Sequence, residues 1–234
     1  MNKILAVGTA LLIMAACNTP RNTTISENMD YSYLALGDSY TIGEGVPLEQ
    51  SWPVQLVNGL KEMGYKIAPP KIIAKTGWTT RNLIDNVETE INVQRQFDLV
   101  SILIGVNNQY QNRRETEFEV ELEEIFRKAI NHSKLRERGV FALSIPDYGV
   151  TPFGARNADT IAVQIDRYNA IVRRVAEQYN VDFYNITPIS REALVNKSLI
   201  ARDSLHPSGE MYRLWVEEII DNVAQKLPQP TTGT

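Results

Sequence analysis

Short apolar segments alternate with amphipathic segments along this chain, and this alternation constrains the fold more than any other feature. Strands are predicted at residues 32–37, 71–75, 98–104, 140–145 and 181–186, and helices at 51–63, 79–91, 115–136, 159–179, 188–194 and 208–226. The third strand is nearly all apolar, as expected of a strand covered on both faces. The alternation therefore predicts a parallel sheet with helices on both faces, in one α/β domain over residues 31–227.

The loops that follow the first three predicted strands carry the residues of chemical interest. They contain Gly37-Asp38-Ser39, Thr76-Gly77 and Gly105-Val106-Asn107. In such sheets, ligands bind at the carboxyl ends of the strands. A Gly-flanked serine between a strand and a helix is typical of a nucleophile or of a phosphate site. No Gly-Lys-Ser/Thr follows, as a Walker loop would require, and the stretch is not the Gly-x-Ser-x-Gly of an α/β-hydrolase elbow.

A serine becomes an effective nucleophile only when a base removes its proton, and histidine is the usual base at neutral pH. The sequence has two histidines. His132 lies late in a charged helical segment, where a solvated helix-face position is predicted. His206 follows Asp203 by three residues, a spacing that in a turn brings the carboxylate to one imidazole nitrogen and leaves the other for Ser39. Taken alone, this segment is equally typical of a helix entry with Ser208 as the N-cap.

Acyl transfer also requires donors for the oxyanion that develops in the transition state. Three candidates lie at the predicted edge, namely the N–H groups of Ser39 and Gly77 and the side-chain amide of Asn107. Taken singly, Gly77 and Asn107 are ordinary turn residues.

Together these four blocks resemble the GDSL, or SGNH, hydrolase family, in order and over residues 32 to about 226. The resemblance implies a flavodoxin-like three-layer α/β/α sandwich with a five-stranded parallel sheet. It implies Ser39 as nucleophile, His206 as base and Asp203 as the carboxylate, with Ser39, Gly77 and Asn107 forming the oxyanion hole. Neither a metal nor a cofactor is required. Tyr40 replaces the family's usual leucine, and Asn108 replaces an aspartate that often follows the block asparagine.

Other residues of these loops have less specific assignments. Asp38 is interpreted as a structural residue that bonds loop N–H groups, because neighbouring residues at a strand end point apart. Five loop residues are candidates to line a substrate pocket, although loop packing explains them as well: Trp78, Asn108, Tyr110, Tyr148 and Phe153.

The function predicted from this site is hydrolysis of carboxylic esters through an acyl-serine intermediate. Short acyl or acetyl groups are the preferred acyl class, and the substrate is a small-molecule or carbohydrate ester. A thioesterase or lysophospholipase of the same family is one alternative. The other is a surface-tethered lipoprotein that binds a ligand without catalysis. The net charge of −4 and the lack of a basic stripe argue against nucleic acid as a partner.

The N-terminal segment is predicted to direct export. Lys3 precedes an apolar run from Ile4 to Met14, and small residues then lead to Cys17, the sole cysteine of the sequence. This resembles a bacterial lipoprotein signal, which implies a signal peptide at residues 1–16 and lipidation of Cys17. The lipid would hold the protein at the bacterial cell envelope and provide its membrane contact. Residues 17–30 are then a polar tether, and residues 228–234 a disordered tail.

Overall fold

The computed structural model describes residues 29–92 and 94–230. Five parallel strands form one sheet in the order β2-β1-β3-β4-β5: β1 (Tyr33–Gly37), β2 (Lys71–Ala74), β3 (Leu99–Leu103), β4 (Val140–Leu143) and β5 (Asp182–Tyr184). This is the flavodoxin-like order. The predicted α/β fold with a five-stranded parallel sheet is therefore confirmed. The predicted signal peptide and Cys17 lie outside the described residues, as do most of the tether and residues 231–234 of the tail.

Eight α-helices are found among the described residues. They are α1 (Ser39–Ile42), α2 (Trp52–Glu62), α3 (Thr80–Glu90), α4 (Val106–Tyr110), α5 (Glu115–Asn131), α6 (Ala158–Gln178), α7 (Thr187–Arg191) and α8 (Gly209–Ala224). Helices α2 and α8 pack together, and α5 packs between α3 and α6. Trp52 of α2 lies against Tyr33 of β1, with ring centroids 6.5 Å apart, and both side chains are buried. The helices thus cover the two faces of the sheet and complete the three layers.

Helix α5 ends earlier than predicted, at Asn131 instead of residue 136. Ser133 forms a parallel bridge with Phe97, and the N–H of Lys134 donates to the Phe97 carbonyl oxygen at 2.8 Å. Arg136 then has a φ of 55°, which a continuous helix does not allow. The contacts with Phe97, which precedes β3, therefore end this helix.

The strand order places the sheet's switch point at β1. The chain goes from β1 outward to β2 and then returns to β3 on the other side of β1. Ligands of such folds bind outside the carboxyl ends of the strands at this point. The loops after β1, β2 and β3 are consequently neighbours. None of the helices in the described part of the chain is long and apolar enough to cross a membrane.

Candidate active site

Ser39 lies two residues after the end of β1 and opens the short helix α1. Gly37 permits this tight exit, because a Cβ at that position would lie 2.1 Å from the Thr41 hydroxyl oxygen and 2.5 Å from the Leu103 carbonyl oxygen. Asp38 caps the helix by accepting the Tyr40 N–H at 3.1 Å. The Ser39 N–H stands in the first turn, where no intrahelical acceptor exists, and no other acceptor is found for it among the described residues.

Asp203 and His206 form the hydrogen-bonded pair that their spacing predicts. The His206 Nδ1 and the Asp203 Oδ2 are 2.7 Å apart, and Asp203 Oδ1 accepts the backbone N–H groups of Leu205 and His206 at 3.0 and 2.9 Å. Burial raises the pKa of Asp203, but these donors outweigh it, so the net pKa lies below its ordinary value. The carboxylate stays charged, orients the imidazole and leaves Nε2 for a second partner.

Tyr40 connects the serine loop to the histidine loop. Its ring meets the His206 ring edge to face, with centroids 5.7 Å apart, and it also contacts Trp215 of α8. The residue next to the serine is thus packed on the imidazole. No hydrogen bond joins Ser39 Oγ to His206 Nε2 among the described residues. Such bonds are often long in free enzymes and tighten only around a bound substrate.

The two further candidate oxyanion donors lie after the ends of β2 and β3, the strands that flank β1. Asn107, half-buried at the start of α4, donates one amide N–H to the Trp78 carbonyl oxygen at 3.0 Å and keeps a second N–H. Gly77, after β2, has a φ of 81°, a conformation that favours glycine, and it is exposed. No acceptor for the Gly77 N–H is found among the described residues. The three donors thus lie in the segments that follow three adjacent strands, with Ser39 in the middle.

Asp38 is buried beside the nucleophile, with 1% of its surface exposed. Burial raises its pKa to about 7, and the N–H groups of Tyr40 and Gly105 counteract this only in part. In the described part of the chain, Asp38 Oδ2 has no hydrogen-bond partner. The carboxyl group shapes the serine loop from inside the fold, which agrees with the structural interpretation from the sequence.

Asn108 is buried and does not line a pocket, so its prediction as a pocket residue is wrong. The side chain is 1% exposed, and its amide exchanges two hydrogen bonds with Thr80. Asn108 Oδ1 accepts the Thr80 N–H at 3.0 Å, and Nδ2 donates to the Thr80 hydroxyl at 2.6 Å. That hydroxyl in turn donates to Glu121 of α5. Asn108 therefore fastens α4 to the start of α3.

His132 is also placed differently from the prediction. It is buried at the end of α5, and its Nδ1 lies 2.9 Å from the Arg95 carbonyl oxygen. It is a structural residue, and the predicted solvated position is wrong. His206, which contacts the Tyr40 ring, is the histidine at the candidate site.

The remaining pocket candidates separate into two groups. Trp78 is half-buried against the core, and its carbonyl oxygen holds Asn107. Tyr110, Tyr148 and Phe153 form an aromatic cluster with ring centroids 6.0–6.3 Å apart. Sequence reasoning did not identify the role of Tyr40 in contacting His206. Its position directly after the candidate nucleophile was the available signal.

The comparisons with known proteins identify the family and similar folds. The sequence matches the model of the GDSL-like lipase/acylhydrolase family over residues 35–214. The chain belongs to this family. Family membership supports an ester-hydrolysing enzyme. Among curated proteins, none matches the chain.

Solved structures of similar fold cover most of the chain. A lipase/acylhydrolase from Enterococcus faecalis has a TM-score of 0.69 at 18% identity, with 85% of this chain and 98% of that chain covered. A lipolytic G-D-S-L family member from Veillonella parvula has a TM-score of 0.66 at 17% identity, with 81% and 96% covered. An acetylxylan esterase from Geobacillus stearothermophilus has a TM-score of 0.63 at 21% identity, with 83% and 94% covered. At these identities the likeness concerns the fold alone.

Proposed function

We propose that this chain hydrolyses carboxylic esters through an acyl-serine intermediate on Ser39. The observation that carries the proposal is the His206–Asp203 pair at 2.7 Å, whose imidazole ring packs on the residue next to Ser39. A histidine held by a carboxylate on one nitrogen, with the other nitrogen free, has the arrangement of a general base for a serine.

In the first half-reaction, His206 Nε2 accepts the Ser39 hydroxyl proton while Oγ attacks the ester carbonyl carbon. The carbonyl oxygen becomes an oxyanion, which accepts hydrogen bonds from the N–H groups of Ser39 and Gly77 and from Asn107 Nδ2. Asp203 stabilises the imidazolium that forms. His206 then gives its proton to the leaving alcohol oxygen as the C–O bond breaks, which leaves an acyl-serine.

Deacylation repeats these steps with water. His206 takes a proton from the water, the hydroxide oxygen attacks the acyl carbon, and the Ser39 Oγ leaves with the proton returned by His206. The products are a carboxylic acid and regenerated enzyme. Each step uses groups of the chain itself. Short acyl or acetyl groups are the proposed acyl class.

The test is the hydrolysis of p-nitrophenyl acetate by a Ser39→Ala variant. We expect kcat to fall by at least about a thousandfold, because removing the nucleophile of such a triad abolishes covalent catalysis. Ser198→Ala, at an exposed serine outside the site, is the matched control and should retain the wild-type rate. Circular dichroism should confirm that both variants fold.

Retention of the wild-type rate by folded Ser39→Ala would refute the mechanism. A fluorophosphonate probe gives an independent readout, because it labels an activated serine without turnover. Wild-type protein that is folded yet inert toward this probe would favour a ligand-binding lipoprotein instead.

A further inference from the structure

An aromatic groove lies beside the candidate active site. It is bordered by Tyr110, Tyr148 and Phe153, whose ring centroids are 6.0–6.3 Å apart. Tyr110 is 56% exposed and Phe153 is 52% exposed, whereas Tyr148 lies at the base of the cluster and is buried. Contiguous exposed apolar surface on a folded protein often marks a ligand-binding groove. The groove has a volume of about 370 Å³, within the range of small-molecule sites.

The groove begins on the histidine side of the candidate active site. The Phe153 N–H donates to the carbonyl oxygen of Ser204, which lies between Asp203 and His206, at 3.3 Å. Tyr148 lines both the aromatic groove and the small cavity that contains His206. Because His206 must hand its proton to the leaving alcohol, the alcohol part of an ester lies on this side.

Apart from Gly154 and Ile161, neutral polar side chains line the rest of the groove. Gln109 of α4 donates from Nε2 to Gln164 Oε1 of α6 at 2.6 Å, and Asn157 lies at the start of α6. None of the ten lining residues carries a charge. Aromatic faces combined with amides suit a ligand that has apolar C–H faces and many hydroxyl groups.

Gln109 adds an unsatisfied hydrogen-bonding group to this lining. The residue is 5% exposed, and its Oε1 has no hydrogen-bond partner among the described residues. The amide is near enough to the Tyr148 hydroxyl to lower the pKa of that group slightly against the raising effect of burial. Buried polar atoms without partners are rare in folded proteins. The Tyr148 hydroxyl and the Gln109 amide therefore form a polar floor with capacity for further hydrogen bonds.

We propose that the aromatic groove binds a neutral sugar ring that carries the ester, so that the alcohol side of the substrate is a carbohydrate. This inference rests on the proposed ester hydrolysis. The uncharged lining disfavours the phosphate of a lysophospholipid or of a nucleotide thioester, since no cation stands in the groove to pair with it. The amide-rich floor disfavours a long acyl chain, because burying amides against hydrocarbon leaves them unpaired.

The experiment compares two acetate esters that differ in their alcohol. Acetic acid release from peracetylated methyl glucoside and from ethyl acetate is followed in a pH-stat, and the ratio of the two kcat/KM values is taken. Phe153→Leu keeps an apolar side chain but loses the ring, and we expect it to lower the ratio about tenfold, or about 1.4 kcal/mol. Phe153→Tyr keeps a ring face and should hold the ratio near the wild-type value. Leu194→Ala, at an exposed apolar residue outside the groove, is the control.

The outcomes distinguish failure of the sugar site from failure of the ester hydrolysis on Ser39. Equal ratios for wild type, Phe153→Leu and Leu194→Ala, with hydrolysis of ethyl acetate that depends on Ser39, would overturn the sugar site and leave ester hydrolysis standing. A Phe153→Leu loss confined to ethyl hexanoate relative to ethyl acetate would assign the groove to the acyl chain and also overturn it. Hydrolysis of ethyl acetate that survives Ser39→Ala would instead refute the proposed function.

Discussion

We expect the free energy of unfolding of this protein to decrease as the pH rises toward neutrality, because Asp38 is buried. The carboxyl group is buried and Oδ1 accepts the Tyr40 N–H at 3.1 Å, whereas Oδ2 has no hydrogen-bond partner within residues 29–92 and 94–230. Burial raises its pKa to about 7, above the ordinary value of 3.8. The folded chain therefore retains this proton over a range of pH in which the unfolded chain has released it.

The sign and size of the effect follow from proton linkage. Between about pH 4 and pH 7 the unfolded state binds fewer protons than the folded state, so the free energy of unfolding decreases as the pH rises. The contribution is fully present below about pH 4 and is lost once the pH exceeds about 7. At about 1.4 kcal/mol for each pKa unit, the whole change is about 4 kcal/mol. About 2–3 kcal/mol of it falls between pH 5 and pH 8.

The perturbation that isolates this group is Asp38→Asn, which keeps an oxygen for the Tyr40 N–H but does not titrate. Urea unfolding, followed by the fluorescence of the buried Trp52 and Trp215, gives the free energy of unfolding at pH 5 and pH 8. The loss of stability between these two pH values should be about 2–3 kcal/mol smaller in Asp38→Asn than in the wild type. Asp221→Asn, at an exposed position near the end of α8, should follow the wild type.

The reasoning would be refuted by equal pH dependence in Asp38→Asn and the wild type, within about 0.5 kcal/mol. That result would mean that the carboxylate is ionised and adequately solvated in the folded protein at pH 5. The Gly105 N–H, which lies near the carboxyl group, would then bind Oδ2 more strongly than its geometry indicates.

Replacement by alanine should lower the activity at Asn107 and the stability at the neighbouring Asn108. Asn107→Ala removes an oxyanion donor and should lower kcat for p-nitrophenyl acetate by about 10²–10³, with little loss of stability because the side chain is only half-buried. Asn108→Ala leaves the Thr80 N–H without its acceptor inside the protein and should lower the free energy of unfolding in urea by about 2–3 kcal/mol. Each variant is the control for the other. An Asn108→Ala protein of unchanged stability would contradict its assignment as a structural residue.

Much of this architecture follows from local patterns in the sequence. The apolar runs that became β1 and β3 are buried throughout; β1 ends at Gly37, and Gly105 follows β3 by two residues. The candidate catalytic residues are predictable because each follows a strand directly or precedes a helix, where side chains face an open edge. Asp203 and His206 are three residues apart, so their contact is local and spacing alone can indicate it.

The predictions that failed depend on contacts between distant parts of the chain. Nothing in the pair Asn107-Asn108 shows which amide turns inward, because α4 is too short to show an amphipathic period. The choice is made by Thr80, 28 residues away. The burial of His132 likewise depends on Arg95 and on the bridge between Phe97 and the residue after the histidine.

The strand order itself explains why one short loop can serve as the centre of the site. Strand β1 pairs with β2 on one side and with β3 on the other, so that Ser39 stands between Gly77 and Asn107 although they are far apart in sequence. Each donor is held by the end of its own strand, whereas His206 comes from outside the sheet and is held by Asp203 and by the Tyr40 ring. Replacing Tyr40 should therefore affect the position of the base more than that of the oxyanion donors, because its ring contacts His206 while the donors depend on the sheet.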